Sequence, residues 1–264
     1  MSDERKHLYQ HFSGEDKDFV DKVLEMVDRV NRSYVFEVSH FVNPYQAQII
    51  ESIARGTGLQ CFSSSLLCPT EMVRVIVAPD YYQLELEDFG LSLLEIRYNS
   101  KFNQLQHHQI LGTLLHHLGI ERYVLGDILL VPGRAQIFVE ANFASFIETN
   151  VSKIAKVPVQ LQSVPLSEML ETQTSLKLKD ILVSSLRLDT IIGASFNLSR
   201  SETAKACSSG KVKVNYRVVE KADYAVRVND LISVRGFGRF TVQRDNGVSK
   251  TGKHKLTVEI ISKK

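Results

Sequence analysis

The chain has 264 residues, 44% of them hydrophobic, enough for one to three buried cores at roughly 100–200 residues per domain. Its start, Met1–Gln10, is polar and charged, and no stretch approaches the roughly 18 apolar residues of a membrane span. That excludes a membrane role and leads to the expectation of a soluble, cytoplasmic protein. The formal net charge of +2 hides a division: residues 183–264 carry 16 Lys+Arg against 7 Asp+Glu, and residues 1–182 carry 16 against 23. The C-terminal part is therefore at +9 and the remainder at −7. Such asymmetry points to a polyanionic partner at the basic end, the alternative being a solvated basic surface.

The first predicted element is a helix capped by Ser13, with Asp16 in its first turn and Phe19, Val20, Val23, Leu24, Val27 and Val30 at helical spacing. Asn43-Pro44 opens a second helix as N-cap and first helical residue, with Ala47, Ile50, Ile53 and Ala54 facing inward. These make an N-terminal helical unit over 1–71. From Met72 the period changes. Val73, Val75 and Val77 alternate, Leu91 to Tyr98 is extended, and Gln104 to Leu118 supports a helix. Pro132-Gly133-Arg134 joins two strands as a hairpin turn, and a helix over 143–150 and a strand over 157–164 follow. The order approximates βββαββαβ or a trimmed βαββαβ, an α+β sandwich over 72–168 with helices on one face of an antiparallel sheet. The polar run 169–182, which includes Glu171-Thr-Gln-Thr-Ser175, reads as a linker.

In 183–264, Ser184 or Ser185 caps a short helix bearing Leu188, Ile191 and Ile192, with Arg187 and Asp189 in its first turn. A second helix opens on the capping box Ser199-Arg-Ser-Glu202 and closes at Gly210. Lys211-Val-Lys-Val214 alternates as a half-buried strand should. An arginine in a first helical turn opposes the macrodipole by ~0.3–1 kcal/mol. Arg187 and Arg200 both do so, which a bound phosphate on the unpaired N–H groups explains. Alternatively each leans into solvent or pairs with Asp189 or Glu202.

Four blocks, Arg187-Leu-Asp-Thr-Ile-Ile192, Leu198-Ser-Arg-Ser-Glu-Thr-Ala204, Gly210-Lys-Val-Lys-Val-Asn215 and Val228-Asn-Asp-Leu-Ile232, resemble the S4 RNA-binding module in order and spacing. The resemblance implies RNA contacts at Arg187, Ser199, Arg200, Lys205, Lys211 and Lys213, with Asp189 beside Arg187 in the same site. Two positions depart from that family: its usual Asn-Gly turn is Asn215-Tyr216, and its glycine before the late Asp is Asn229. Tyr adopts positive φ poorly, which leaves the turn type open. The tail Ser233-Val-Arg-Gly-Phe-Gly-Arg-Phe240 with Asn246-Gly-Val-Ser-Lys-Thr-Gly-Lys253 resembles the ending of the YlmH family of ribosome-associated S4-domain RNA-binding proteins. Upstream, Asn43-Pro44, the pair Glu71 and Arg74 before Pro79-Asp-Tyr81, and Gly126-Asp-Ile128 are also similar to that family. The resemblance implies an RRM-like middle domain and a place on the large (50S) ribosomal subunit. There the chain would touch rRNA and tRNA on stalled complexes during quality control.

Arg235-Gly-Phe-Gly238 imitates the start of an RNP1 motif, but Arg239 stands where an aromatic is needed, so base stacking there is set aside. Arg235 and Arg239 read instead as phosphate contacts on one strand face, or as a solvated basic edge. The middle domain's third strand, Ala135-Gln-Ile-Phe-Val139, offers one aromatic rather than a stacking set. Its sheet is left to bind protein, to meet a shaped RNA surface, or to support the S4 module. His107, His108, His116 and His117 lack a carboxylate or thiol at ligand spacing, and Cys61, Cys68 and Cys207 lack CxxC spacing. No nucleophile elbow, P-loop or dinucleotide fingerprint occurs. The expectation is thus a non-catalytic RNA-binding protein with no metal, cofactor or small-molecule substrate. The competing readings are an S4-containing RNA-modifying enzyme, such as a pseudouridine synthase, and a protein-interaction adaptor built on the acidic residues 1–182.

Overall fold

The computed structural model describes residues 16–172 and 174–263, in two compact units divided between Thr172 and Gln173. In the first unit, helix α1 (Lys17–Ser33) buries Val20, Val23, Met26, Val27 and Val30 along one stripe. Asp16 stands at its N-cap rather than inside the first turn, and the expected cap Ser13 lies outside the described residues. After strand β1 (Glu37–Val38), helix α2 (Pro44–Gly56) starts as the sequence predicts. The Asn43 side chain accepts from Gln46 N at 2.9 Å, and the Gln46 side chain accepts from Asn43 N at 3.1 Å. Strands β2 (Gln60–Ser63) and β3 (Val75–Ala78) complete an antiparallel sheet in the order β1-β3-β2.

This corrects the boundary at residue 72. The alternating run Val73, Val75, Val77 is the central strand of the N-terminal sheet, not the first strand of the middle domain. Alternation identifies a strand but not its partners. Here both faces are used: Val75 and Val77 pack under α1 and α2, while Ile76 and Ala78 meet Phe89 on the other side.

The middle domain runs β4 (Leu91–Arg97), α3 (His107–Gly112), β5 (Leu125–Val131), β6 (Arg134–Glu140) and α4 (Ala141–Asn150). A two-strand hairpin, β7 (Lys153–Ile154) and β8 (Val157–Pro158), then leads into β9 (Gln160–Val164). The sheet order β5-β6-β4-β9, all antiparallel, is the split βαββαβ arrangement of an RRM-like domain. Two elements differ from expectation. The predicted helix over 104–118 shortens to α3 plus a π-helical turn over Thr113–His117. The predicted strand over 157–164 breaks after Pro158, because β8 folds back on β7. Both helices cover one face of the sheet, burying Ile110, Leu114, Ala144 and Ile147 against Leu94, Ile96, Ile137 and Val139.

The second unit is a six-stranded antiparallel sheet packed by two helices. Its elements are β10 (Thr174–Val183), α5 (Leu188–Phe196), α6 (Arg200–Ser208), β11 (Val212–Val214), β12 (Arg217–Val218), β13 (Leu231–Val234), β14 (Gly238–Val248) and β15 (His254–Lys263). Strand order is β10-β15-β14-β13-β11-β12. The linker expected over 169–182 is therefore mostly strand: β10 pairs with β15 from Thr174↔Lys263 to Val183↔His254. Its polar composition misleads because Lys179 stands in the same row as the buried Ile181 and Val183. Lys179 lies over the end of α5, where its Nζ donates to Ala194 O (2.8 Å), Ser195 O (2.9 Å) and Asn197 Oδ1 (3.1 Å). It thereby satisfies carbonyls that a helix C-terminus leaves unpaired.

The turn between β11 and β12 places both Asn215 (φ 48°) and Tyr216 (φ 70°) in the left-handed region, the type I′ geometry that suits a two-residue hairpin. Asn215 anchors it: its Nδ2 donates to Asp230 Oδ1 at 2.8 Å and its Oδ1 accepts from Leu231 N at 2.9 Å. Asn229, in the family's glycine position, has φ 72°.

Candidate nucleic-acid interface

The two helix N-termini of the second unit turn out differently from each other. Arg187 is the N-cap of α5, and its guanidinium forms a two-pronged pair with the buried Asp189, Nε to Oδ1 at 3.1 Å and Nη2 to Oδ2 at 2.8 Å. The arginine's hydrogen bonds, reinforced by Thr190, hold the Asp189 carboxyl below the usual carboxylate range against the opposing effect of burial. The first N–H groups of α5 are not waiting for a phosphate either. Leu188 N donates to Tyr224 O at 2.9 Å, Asp189 N to Ala222 O at 3.1 Å, and Thr190 N to Asp189 Oδ1 at 2.8 Å. The expected phosphate site of guanidinium plus unpaired N–H groups is thus not present at α5. Asp189 positions Arg187, whose side chain keeps 40% exposure.

At α6 the capping box forms as predicted. Ser199 Oγ accepts from Glu202 N at 3.2 Å, and Glu202 Oε2 accepts from Ser199 N at 2.8 Å. Arg200 follows the cap in the first helical position, and both it and Lys205 are exposed. Among the described residues no ion pair engages Arg200, Lys205, Lys211, Lys213 or Arg235.

The sheet brings four of the predicted cations together. Val212 and Val214 face the core, so Lys211 and Lys213 face outward. Lys213 pairs across to Ser233, and Ser233 to Arg239, which sets a row over β11, β13 and β14 on one face. Arg235 N donates to Lys211 O at 2.9 Å, tying the fourth cation to the row. Lys211, Lys213, Arg235 and Arg239 thereby line one open depression of about 580 Å³, and among the described residues no carboxylate lines it. Arg187, Ser199, Arg200 and Lys205 lie outside it. Arg235 and Arg239 flank the β13–β14 turn, rather than sharing one strand as expected. Phe237, at that turn, lines the same depression.

The middle domain's other face is closed. Leu93, Leu129 and Phe138 on the sheet are covered by Phe41, Cys68 and Leu170. Gln136, fully buried there, donates to Glu95 Oε2 at 2.7 Å and accepts from Leu170 N at 2.8 Å. The face that a strand-reading RRM opens to bases is here an internal packing surface. Burial also pushes the Cys61 thiol up to about 11 and raises Cys68 and Cys207, so none is poised as a nucleophile. Among the described residues no three His, Cys, Asp or Glu side chains cluster to hold a metal, and no helix is long and apolar enough to cross a membrane.

Comparison with known proteins bears on this geometry. Residues 15–82 match the model "YlmH, N-terminal", residues 85–168 match "Putative RNA-binding domain in YlmH", and residues 186–232 match "S4 domain". Over 252 residues the chain is 31% identical to Ribosome-associated protein quality control protein P2 of Bacillus subtilis, covering 96% of this chain and 98% of that one. The chain belongs to the YlmH family. A solved structure, cell division protein YlmH from Streptococcus pneumoniae, is 42% identical with a TM-score of 0.56, over 62% of this chain and 99% of that one. One of the three models is described as a putative RNA-binding domain and another is the S4 domain, and RNA binding follows for this chain.

The YlmH-like motifs around Glu71, Arg74 and Asp127 hold the N-terminal layer against the middle domain. Asp127 accepts from Glu71 N at 2.6 Å and from Met72 N at 3.3 Å. The buried Arg74 donates to Ser39 O, Phe89 O and Gly90 O, each at 2.8 Å, and lies 3.6 Å from Glu140. Glu140 in turn meets His40 Nδ1 at 2.6 Å. Base stacking at Arg235-Gly-Phe-Gly238, which contains Phe237, is set aside on sequence grounds, and Lys179 is not singled out by them. An aromatic between two glycines and two arginines was the available signal for the first; nothing local marks the second.

Proposed function

We propose that this protein is a non-catalytic RNA-binding protein that docks through its S4 domain on structured RNA of the large (50S) ribosomal subunit. The RNA is rRNA together with tRNA, and the role is in ribosome-associated translation quality control in the cytoplasm. The observation that carries this reading is the depression lined together by Lys211, Lys213, Arg235 and Arg239. Four cations on one sheet face suit phosphates, and A-form RNA is recognised mostly by shape and backbone. Arg200 and Lys205, exposed and in no ion pair among the described residues, add cations along α6, and Arg187, held by Asp189, keeps part of its side chain exposed. The ribosome and the quality-control role come from the name of the Bacillus subtilis relative. No cofactor, metal or small-molecule substrate is part of the reading.

The test is binding of the full chain to purified 50S subunits across a salt series. Affinity is expected to fall with a log–log slope of about −0.7 to −0.9 per phosphate neutralised. Replacing Lys211, Lys213, Arg235 and Arg239 together by Ala should flatten that slope by roughly 3 if each meets one phosphate. Equal affinity and slope in that variant would overturn the assignment. Modified nucleotides in rRNA or tRNA that disappear when the gene is deleted would overturn the non-catalytic reading.

A further inference from the structure

Phe237 is placed as few surface aromatics are. It sits in the three-residue turn between β13 and β14, with Gly236 at φ 90° and Gly238 at φ 130°, conformations that L side chains rarely adopt. Phe237 N donates to Val234 O at 3.0 Å, which closes the turn. The backbone therefore fixes where the ring emerges. Phe196 supports it with ring centroids 6.5 Å apart, and Phe196 is itself held edge-on by the fully buried Phe240 at 5.5 Å. Phe237 still keeps 49% exposure, and it is one of the residues lining the depression together with four cations and small residues.

We infer that this depression receives one unpaired nucleotide of an RNA loop or bulge, its base stacked on Phe237 and its flanking phosphates on Lys211, Lys213, Arg235 and Arg239. This rests on the reading of that face as the RNA surface and adds what the face selects. Paired A-form RNA keeps its bases stacked inside the helix, so only an unpaired base can reach the ring. Charge complementarity chooses the polyanion, and the ring chooses its unpaired segment. The volume of about 580 Å³ falls within the ~300–1,000 Å³ typical of small-ligand sites.

The experiment compares binding of the full chain to an RNA stem-loop with a four-uridine loop and to a blunt duplex of the same stem. Stacking on an aromatic is worth ~1–3 kcal/mol per base, so Phe237→Ala should weaken stem-loop binding about 5- to 150-fold and leave the duplex nearly unchanged. The salt slope should stay the same, because no charge is removed. Phe237→Leu keeps apolar packing on Phe196 but has no ring face, and should lose as much as Ala; Phe237→Tyr should retain binding. With 5-iodouridine in the loop, photo-crosslinking should map to Phe237. Full stem-loop affinity in Phe237→Ala or Phe237→Leu, or equal loss on both RNAs, overturns the stacking site. If Phe237→Ala is silent while the four-cation variant loses affinity and slope, the nucleotide site falls and the RNA surface stands. If neither variant has any effect, both fall.

Discussion

Gly126→Ala is the sharpest probe of how the first unit is closed. Gly126 lies at the start of β5, and a Cβ built there would stand 2.6 Å from Phe41 Cε1 and 2.8 Å from Phe138 Cβ. Carbon atoms in contact normally sit ~3.5–4.0 Å apart, so the overlap is about 1 Å. Phe138 Cβ is fixed to its strand, so the ring of Phe41 must give way. Phe41 is 4% exposed and its N donates to Tyr123 O at 2.9 Å, which pins the N-terminal layer to the middle domain. Overpacking of this kind costs ~1–3 kcal/mol, and the lower chain entropy of Ala in the unfolded state offsets ~0.4–1 kcal/mol. The expected net loss is about 1–2 kcal/mol. With a urea slope of ~2 kcal/mol per molar, the unfolding midpoint of the first unit should fall by about 0.5–1 M. Phe41→Leu in the same chain should recover part of it, so the double-mutant cycle should be non-additive. RNA affinity and salt slope should stay as in the wild type, because that face is packed and not a binding surface. An unchanged midpoint or an additive cycle would refute the closure as described.

Two predictions concern the second unit. Lys179→Met should remove its bonds to the end of α5 and lower stability by about 2 kcal/mol, whereas Lys177→Met, on exposed β10 surface, should change little; equal midpoints for the two variants would contradict the capping role. Asp189 has its pKa lowered in the fold, first by the hydrogen bond from Arg187, so its contribution is present above the ordinary Asp value of ~3.9 and lost as pH falls below it. Asp189→Asn should therefore make the second unit less stable at neutral pH and flatten its acid limb; an acid limb identical to the wild type's would rule the pair out as its source.

Local signals in this chain are those whose physics closes within a few residues. Asn43-Pro44 with Gln46, and Ser199 with Glu202, announce two helix starts because a capping box satisfies orphan N–H groups inside one turn. Lys211 to Val214 alternates because one strand face is buried, and that places both lysines outward. The charge division likewise follows from composition alone, and the four-block S4 pattern locates the basic module. What failed was everything decided by a distant partner. The pairing of Arg187 with Asp189 is one of the alternatives open in the sequence, but carbonyls from Ala222 and Tyr224, more than thirty positions on, take the first N–H groups of α5 that a phosphate would need.

By itself, then, the sequence determined that a basic S4 module follows an acidic α+β body, and which side chains could carry positive charge outward. Only the tertiary structure decided where those charges meet. Val73 to Val77 joins the N-terminal sheet and 174–183 becomes a strand because their hydrogen-bond partners, β1, β2 and β15, lie far along the chain. For the same reason Phe237 joins Lys211, Lys213, Arg235 and Arg239 only through the registers of β11, β13 and β14. Register across strands is set by which faces the whole sheet buries, and no window of local sequence contains that information.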